Sequence, residues 1–274
     1  MNVETLLSGV VIPVDKPRQW TSFQTVNRIK SVIRSHFGIK KFKIGHAGTL
    51  DPLATGLLLV CVGKATKDIE MLQSGEKEYT GTMVLGATTP CYDLEQPIDH
   101  FYDYQHITEA LLNDAATTLT GAIMQVPPMF SAVKIDGERA YQYARRDQAD
   151  REPQARQVII QQFNIEHFIP GKPTPSNIPL QQQETVSSHA PHRYNNPIEE
   201  IPEWLPRADF HVCCSKGTYI RSLVRDLGAE MQSGAFLASL RRTRIGDYTV
   251  DNAITLNQID ALLKGDETFT IAHA

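Results

Sequence analysis

Gly45-His46-Ala47-Gly48-Thr49-Leu50-Asp51-Pro52-Leu53-Ala54-Thr55-Gly56 runs directly into Leu57-Leu58-Leu59-Val60-Cys61-Val62. The second half reads as an interior strand, because a short unbroken apolar run bounded by turn residues suits a strand covered on both faces. The first half is a glycine-bracketed turn that sets one carboxylate, Asp51, and one imidazole, His46, at the entry to that strand. Glycine permits backbone conformations and close approaches that other residues resist. Loops held by a rigid scaffold are common homes for reactive groups. Asp51 is therefore the expected centre of the site, with a simple turn cap as the plainer role for an Asp there.

Working outward, residues 10–14 predict a strand, and Asp15-Lys16-Pro17 a turn. Thr21 or Ser22 can cap the helix that follows, in which Phe23, Val26, Ile29, Val32 and Ile33 recur with helical spacing as a buried stripe through about Phe37. A short helix is expected over 65–72 and a strand over 79–86. A second amphipathic helix is expected over 107–119, with Ile107, Leu111, Leu112, Ala115 and Leu119 inward. Pro127-Pro128 breaks regular structure before a strand at 131–135, a turn at Asp136-Gly137 and a helix over 138–146. Strands at 158–168, 210–214 and 240–245, and helices at 219–231 and 256–263, complete the pattern. Residues 170–206 carry eight prolines and three consecutive glutamines, and read as a loop excursion rather than a compact domain. Without a regular strand–helix alternation, the chain is expected to be α+β, with a mixed, largely antiparallel sheet flanked by helices.

At 274 residues the chain can bury a sizeable core. Its apolar and charged fractions of 41% and 21% describe a folded rather than a disordered protein. The longest apolar run is too short to cross a bilayer, and no basic-then-apolar leader opens the chain, so no membrane role and a cytoplasmic location are expected. Cys61, Cys91, Cys213 and Cys214 form neither a CxxC pair nor a disulfide framework, in line with an intracellular setting. Cys213 and Cys214 are expected to point to opposite faces of one strand. Cys and His positions suggest no metal cluster, and Gly63-Lys64-Ala65-Thr66 lacks the spacing of a Walker phosphate loop.

The net charge of −4 is unevenly spread. Residues 1–80 carry 11 Lys/Arg against 7 Asp/Glu and residues 216–246 carry 6 against 2, a balance of +4 in each. Two basic blocks can fold into one polyanion-facing surface, although a mixed surface would leave the same count.

The 45–56 segment closely resembles the catalytic motif of the TruB family of tRNA pseudouridine synthases. Asp15-Lys16-Pro17, Lys77-Glu78-Tyr79, Pro127-Pro128-Met129-Phe130-Ser131-Ala132-Val133-Lys134, Gly217-Thr218-Tyr219-Ile220-Arg221 and Leu240-Arg241-Arg242-Thr243 match it in the same order over 10–247. The resemblance implies the pseudouridine synthase catalytic fold over residues 1–250, including the 170–206 excursion, and a short extension at 251–274 in place of a full PUA domain. It implies conversion of the T-loop uridine at position 55 of tRNA to pseudouridine, with no metal or organic cofactor required. The implied partner is tRNA, especially its T stem-loop, and a monomer is expected.

The same resemblance makes Asp51 the catalytic carboxylate, attacking either the uracil ring or the sugar. Arg221 is the implied arginine partner of that carboxylate, whose planar multidonor head orients a carboxylate better than Lys can. Tyr79 is the implied tyrosine that stacks on the target base and helps remove the C5 proton, with core packing as its other role. His46 would help arrange the displaced nucleotide or simply fix its loop. Lys134 would meet a phosphate or local acidic groups, and Tyr219 would line the pocket wall and orient Arg221 or be buried as an ordinary helix residue. Lys40, Lys41, Lys43, Lys64, Lys67, Arg241, Arg242 and Arg244 are candidate phosphate contacts.

Arg18-Gln19-Trp20-Thr21-Ser22 departs from the family's glycine-containing approach to its helix. The segment 86–93 departs from its threonine- and aspartate-rich pattern, although Asp93 matches the acidic member and is an uncertain acidic site residue. An RNA-binding tRNA folding chaperone that does not need catalysis, and a pseudouridine synthase for another RNA, are the competing functions.

Overall fold

The computed structural model describes residues 2–131, 133–145, 153–180, 200–264 and 272–273. In chain order the first elements are α1 (Val3–Ser8), β1 (Val10–Lys16), α2 (Ser22–Phe37), β2 (Ile44–Ala47), β3 (Thr55–Val62), α3 (Ile69–Ser74) and β4 (Lys77–Leu85). Next come β5 (Ala87–Thr88), β6 (His100–Phe101), α4 (Glu109–Thr118), β7 (Gly121–Gln125), β8 (Lys134–Ile135), β9 (Glu138–Arg139) and α5 (Ala140–Arg145). The chain closes with β10 (Arg156–Ile169), β11 (Arg207–Cys214), α6 (Ile220–Glu230), β12 (Ala235–Ile245), β13 (Tyr248–Thr249), α7 (Ile259–Lys264) and β14 (Ala272–His273). The sheet is mixed and largely antiparallel with helices against it, as the sequence predicts. The contacts divide the chain into two compact units, Met1–Tyr79 with Leu240–Ala274, and Thr80–Ser239.

In the first unit β3 is central. It pairs antiparallel with β1 (Val10↔Val62 to Lys16↔Gly56) and with β2 (Ile44↔Val62 to Ala47↔Leu59), and parallel with β12 through Arg241↔Thr55 and Arg242↔Gly56. Because side chains alternate across a strand, Leu58, Val60 and Val62 join one cluster and Leu57, Leu59 and Cys61 another. The first cluster is completed by Val26, Ile29, Val32 and Ile33 of α2 and by Ile259, Leu262 and Leu263 of α7. Both faces are thus covered, which is why the strand reads as an unbroken apolar run.

Helix α2 begins where the sequence predicts. The Thr21 hydroxyl accepts from Gln24 N–H at 3.0 Å while Gln24 Oε1 accepts from Thr21 N–H at 2.8 Å, a capping box. It ends at Gly38 in the left-handed conformation. Phe23 departs from the expected inner stripe: it is 71% exposed in the helix's first turn. Strand β1 runs on through Lys16 rather than stopping at 14, because Asp15 and Lys16 still find partners in Leu57 and Gly56.

In the second unit β11 lies between β4 and β10, and β7 flanks β10. Helix α4 packs on β10 and α6, burying Leu112, Ala115 and Ala116, while Leu111 and Leu119 stay half-buried. Phe163 and Phe210 meet edge to face across β10 and β11, with ring centroids 5.9 Å apart. Cys213 and Cys214 are strand residues as expected, but both are buried, so neither of the two faces they occupy on β11 is open to solvent there. Among the described residues of the strand expected at 131–135, Lys134 and Ile135 join a ladder, pairing with β9 across Asp136-Gly137. Both turn residues have positive φ, 50° and 92°, as a two-residue hairpin turn requires. The helix expected at 138–146 starts only at Ala140, because Glu138 and Arg139 are taken by that ladder; Arg146 lies outside the described residues.

The ends of the 170–206 excursion are fixed. Lys172 N–H donates to the Trp204 carbonyl at 3.0 Å, and Tyr104 hydroxyl donates to the Lys172 carbonyl at 2.7 Å. The Trp204 indole stacks on Tyr104 and tilts against Phe101. Residues 181–199 lie outside the described residues.

Candidate active site

Between β2 and β3 the chain turns back through residues 48–54, and four residues of the first unit hold that turn. The Ser22 hydroxyl accepts from Leu50 N–H at 2.9 Å and donates to Leu50 C=O at 3.1 Å. The Pro52 carbonyl accepts from Gln19 N–H at 2.8 Å and from Lys16 Nζ at 3.3 Å. Arg242 donates from Nη2 to the Gly48 carbonyl at 3.0 Å and from Nε to Leu57 C=O at 2.8 Å. Asp51 therefore sits half-buried between two residues whose backbones are each tied to another element. Gly48 and Gly56 adopt φ of 88° and 99°, and a Cβ on Gly56 would lie 2.3 Å from the Arg242 carbonyl oxygen. The glycine bracket is thus a steric requirement of the parallel β3–β12 pairing.

Lys16 is fully buried. Its ammonium also donates to the carbonyls of Pro17 at 2.9 Å and Trp20 at 2.6 Å, so three acceptors satisfy its three protons. Burial lowers its pKa to about 8; the Asp51 charge opposes this, Arg242 adds to it, and Asp15 opposes it. Burial, and then the Arg242 charge, likewise push the His46 imidazole below its ordinary value against a smaller pull from the Gly48 backbone. His46 is therefore a neutral, half-buried ring on β2 at neutral pH, suited to shaping the loop or hydrogen bonding rather than to carrying charge.

The expected phosphate contacts divide by burial. Lys40, Lys41, Lys43, Lys64 and Lys67 are exposed. Arg242 is only 1% exposed and its guanidinium is used on carbonyls of the loop. The expectation that it meets a phosphate is corrected: it clasps the Asp51 turn from behind. Arg244 lies 2.6 Å from both Glu76 and Glu78, whose carboxylates hold its pKa above the ordinary value. Arg241 makes a two-bonded pair with Asp15 at 3.0 and 2.8 Å. It lines a cavity of about 470 Å³ with Asp15, Lys16, Trp20, Arg28 and Thr55. Tyr79 is buried on β4.

In the second unit Arg221 is 4% exposed at the start of α6. Its Nη1 donates to the Cys91 carbonyl at 3.0 Å and Nη2 to the Phe130 carbonyl at 2.9 Å, and its Nε faces Asp93 Oδ2 at 3.7 Å. Asp93 is thereby the ion partner of Arg221 within this unit. Tyr219 caps α6: its N–H donates to Gln125 Oε1 at 2.8 Å, and the Arg156 guanidinium lies 5.0 Å from its ring centroid. Ser222 continues the anchoring by donating to Val126 C=O at 2.8 Å. Lys134 is exposed on the β8–β9 hairpin.

Sequence reasoning missed Lys16 and Ser22 as supports of the Asp51 turn, and Cys91 as a partner of Arg221. Lys16 left a signal, a cation at the end of an apolar strand, where only burial with partners is tolerable. Ser22 was read only as a possible cap, whereas Thr21 takes that role and frees Ser22 to hold Leu50. Cys91 showed only as part of a departing pattern.

The family model described as TruB family pseudouridylate synthase (N terminal domain) matches residues 34–220. That described as tRNA pseudouridylate synthase B C-terminal domain matches 221–270. The chain is 45% identical to tRNA pseudouridine synthase B of Flavobacterium johnsoniae over 265 residues, covering 96% of this chain and 100% of that protein. It is 42% identical to the protein of the same description from Phocaeicola vulgatus, covering 94% and 95%. Among solved structures, one chain of a Cbf5-Nop10-Gar1 complex superposes with a TM-score of 0.62 at 24% identity, covering 100% of this chain and 62% of that one. At that identity the likeness is one of fold.

Proposed function

The chain belongs to the TruB family of pseudouridylate synthases, isomerases that act on tRNA, and we propose on that premise that its substrate position is the T-loop uridine at position 55. Asp51 is the attacking carboxylate. The N1–C1′ glycosidic bond breaks, a C5–C1′ bond forms, and the proton lost from C5 is balanced by one gained at N1, so the reaction needs no oxidant or cofactor. Tyr79 stacks on the base and assists removal of the C5 proton, and Arg221 is the arginine the reaction uses.

The observation that carries this reading is the fixing of Leu50 and Pro52 on either side of Asp51. A nucleophile needs its geometry set before substrate arrives. A turn whose only task is connection needs no buried lysine and buried arginine behind it. The target uridine must leave its stack to reach Asp51, at about a few kcal/mol, offset by stacking and backbone contacts. The exposed lysines at 40, 41, 43, 64, 67 and 134 and the Arg241 cavity supply candidate phosphate and nucleotide contacts, His46 helps arrange the displaced nucleotide, and Tyr219 orients Arg221. Residues 1–250 act as the catalytic domain, residues 251–274 as a short extension, and the protein works as a cytoplasmic monomer.

Incubation with unmodified full-length tRNA, followed by nucleotide-resolved mapping of pseudouridine, tests this reading. Product confined to the T-loop uridine and abolished in Asp51→Asn is expected. Product elsewhere would assign another RNA position, and tight binding with no product from the wild type would put the folding-chaperone role first.

A further inference from the structure

Cys91 is fully buried and touches both members of the Asp93–Arg221 pair. Its carbonyl accepts from Arg221 Nη1 at 3.0 Å, and its Sγ lies 3.0 Å from Asp93 Oδ1. The thiol has one proton and three acceptors in reach: Asp93 Oδ1, the Asp93 carbonyl at 3.4 Å and the Thr89 hydroxyl oxygen at 3.9 Å. The carboxylate is the closest of the three at 3.0 Å and the one that carries charge, so the thiol proton goes to it. Burial first, and then the Asp93 charge, hold the thiol far above its ordinary pKa, so it stays a donor throughout the working pH range.

Asp93 Oδ1 thus accepts twice, from Cys91 S–H and from Glu95 N–H at 2.9 Å, which leaves Oδ2 turned toward Arg221. At 3.7 Å the Nε–Oδ2 approach is an ion pair too long to be a hydrogen bond, so its alignment depends on what holds each partner. The turn itself is fixed. Tyr92 N–H donates to Thr89 C=O at 3.1 Å, Tyr92 C=O accepts from Leu237 N–H at 3.0 Å, and Arg225 stacks 5.1 Å from the Tyr92 ring. Tyr92 is held at φ 63°, a conformation a bulky residue takes only where its surroundings impose it.

We propose that Cys91 is a positioning residue for the isomerisation: its thiol, donating to Asp93, sets the carboxylate that orients the Arg221 guanidinium. The alternative is a small apolar filler, the usual role of a buried thiol. The proposal rests on the reading that Arg221 serves the reaction.

The test uses the full chain with unmodified tRNA, enzyme in excess, and compares Cys91→Ser, Cys91→Ala and Cys91→Val. Serine keeps the donor, alanine removes it and leaves space, and valine removes it and fills the space with a slightly larger apolar group. In Cys91→Ala and Cys91→Val the single-turnover rate is expected to fall roughly five- to tenfold, with tRNA affinity unchanged and rescue by Cys91→Ser to within about twofold. Equal losses in all three variants, or a wild-type rate in Cys91→Val, would overturn the proposal. Arg221→Lys in the same assay separates the layers. A large loss there leaves the Cys91 variants to speak for themselves, whereas a wild-type rate overturns the reading of Arg221 and the inference with it.

Discussion

The Ser22 hydroxyl bridges both backbone polar groups of Leu50, accepting its N–H at 2.9 Å and donating to its carbonyl at 3.1 Å. One side chain at the start of α2 thereby replaces the partner strand that Leu50 would have had in a sheet, one residue before Asp51. Ser22→Ala leaves two buried backbone groups without this partner, at about 1–3 kcal/mol for each unsatisfied group. Turnover should fall by about one to two orders of magnitude, since a misplacement of about 1 Å is that costly to a positioned group. The loss should lie in kcat rather than in tRNA affinity. Chemical denaturation beside single-turnover kinetics checks both, and a variant with full kcat would remove Ser22 from the site.

Lys16 makes a pH-dependent contribution whose sign is fixed by its shift. Its folded pKa is about 8 and its ordinary value 10.5, so between these the unfolded chain binds more protons than the folded one. Folding stability from this group therefore rises with pH through that window, by at most about 1.4 kcal/mol per pH unit. Below pH 8 the buried ammonium carries its full desolvation cost. The stability of the wild type minus that of Lys16→Met should become more positive from pH 8 toward pH 10 in urea unfolding. A difference that stays flat or becomes more negative would place the ammonium in a wetter site.

How far the sequence revealed this arrangement follows from which interactions are local. The β3 run, the α2 cap and its Val26-Ile29-Val32-Ile33 stripe were legible because periodicity and capping act within a few residues. Phe23 fell on the same period yet stays exposed in the first helical turn, and no local rule marks where the buried stripe begins. Asp51 stood out because its glycines and carboxylate share one short segment. Lys16, Ser22 and Arg242 support it from 35, 29 and 191 positions away in the numbering, and distances of that kind leave no trace in composition or spacing. Arg242 was misassigned for the same reason, since an arginine in a basic stretch is taken for a surface cation until its burial is known.

Gly56 tests whether the bracket around Asp51 is steric. Its φ of 99° disfavours any L side chain, and a Cβ would meet the Arg242 carbonyl at 2.3 Å. Gly56→Ala should destabilise the fold by several kcal/mol, more than the about 1 kcal/mol typical of a point substitution, and should detach β12 from β3 at Arg242. Gly38→Ala offers the contrast. Its φ is 67° but nothing lies within 4 Å of the added Cβ, so only the backbone strain remains and the loss should be about 1 kcal/mol. Thermal melts of the two variants rank them, and equal losses would show that backbone strain alone explains Gly56.

Salt dependence separates cations that meet RNA from those that hold the loop. Each phosphate neutralised contributes a slope of roughly −0.7 to −0.9 to the plot of log affinity against log salt. Neutralising Lys40, Lys41 or Lys43, all exposed, should weaken tRNA binding and flatten that slope by about one for each true phosphate contact. Arg242→Gln should leave the slope unchanged, because its guanidinium already serves the carbonyls of Gly48 and Leu57. It should instead lower stability and kcat together by loosening the turn that carries Asp51. Arg241 lies between these cases, paired to Asp15 but 40% exposed along its side chain. Arg241→Gln should flatten the slope only if the phosphate displaces Asp15, in which case Asp15→Asn alone should tighten binding. Binding isotherms at several salt concentrations decide it, and a flattened slope in Arg242→Gln would restore that residue to the RNA surface.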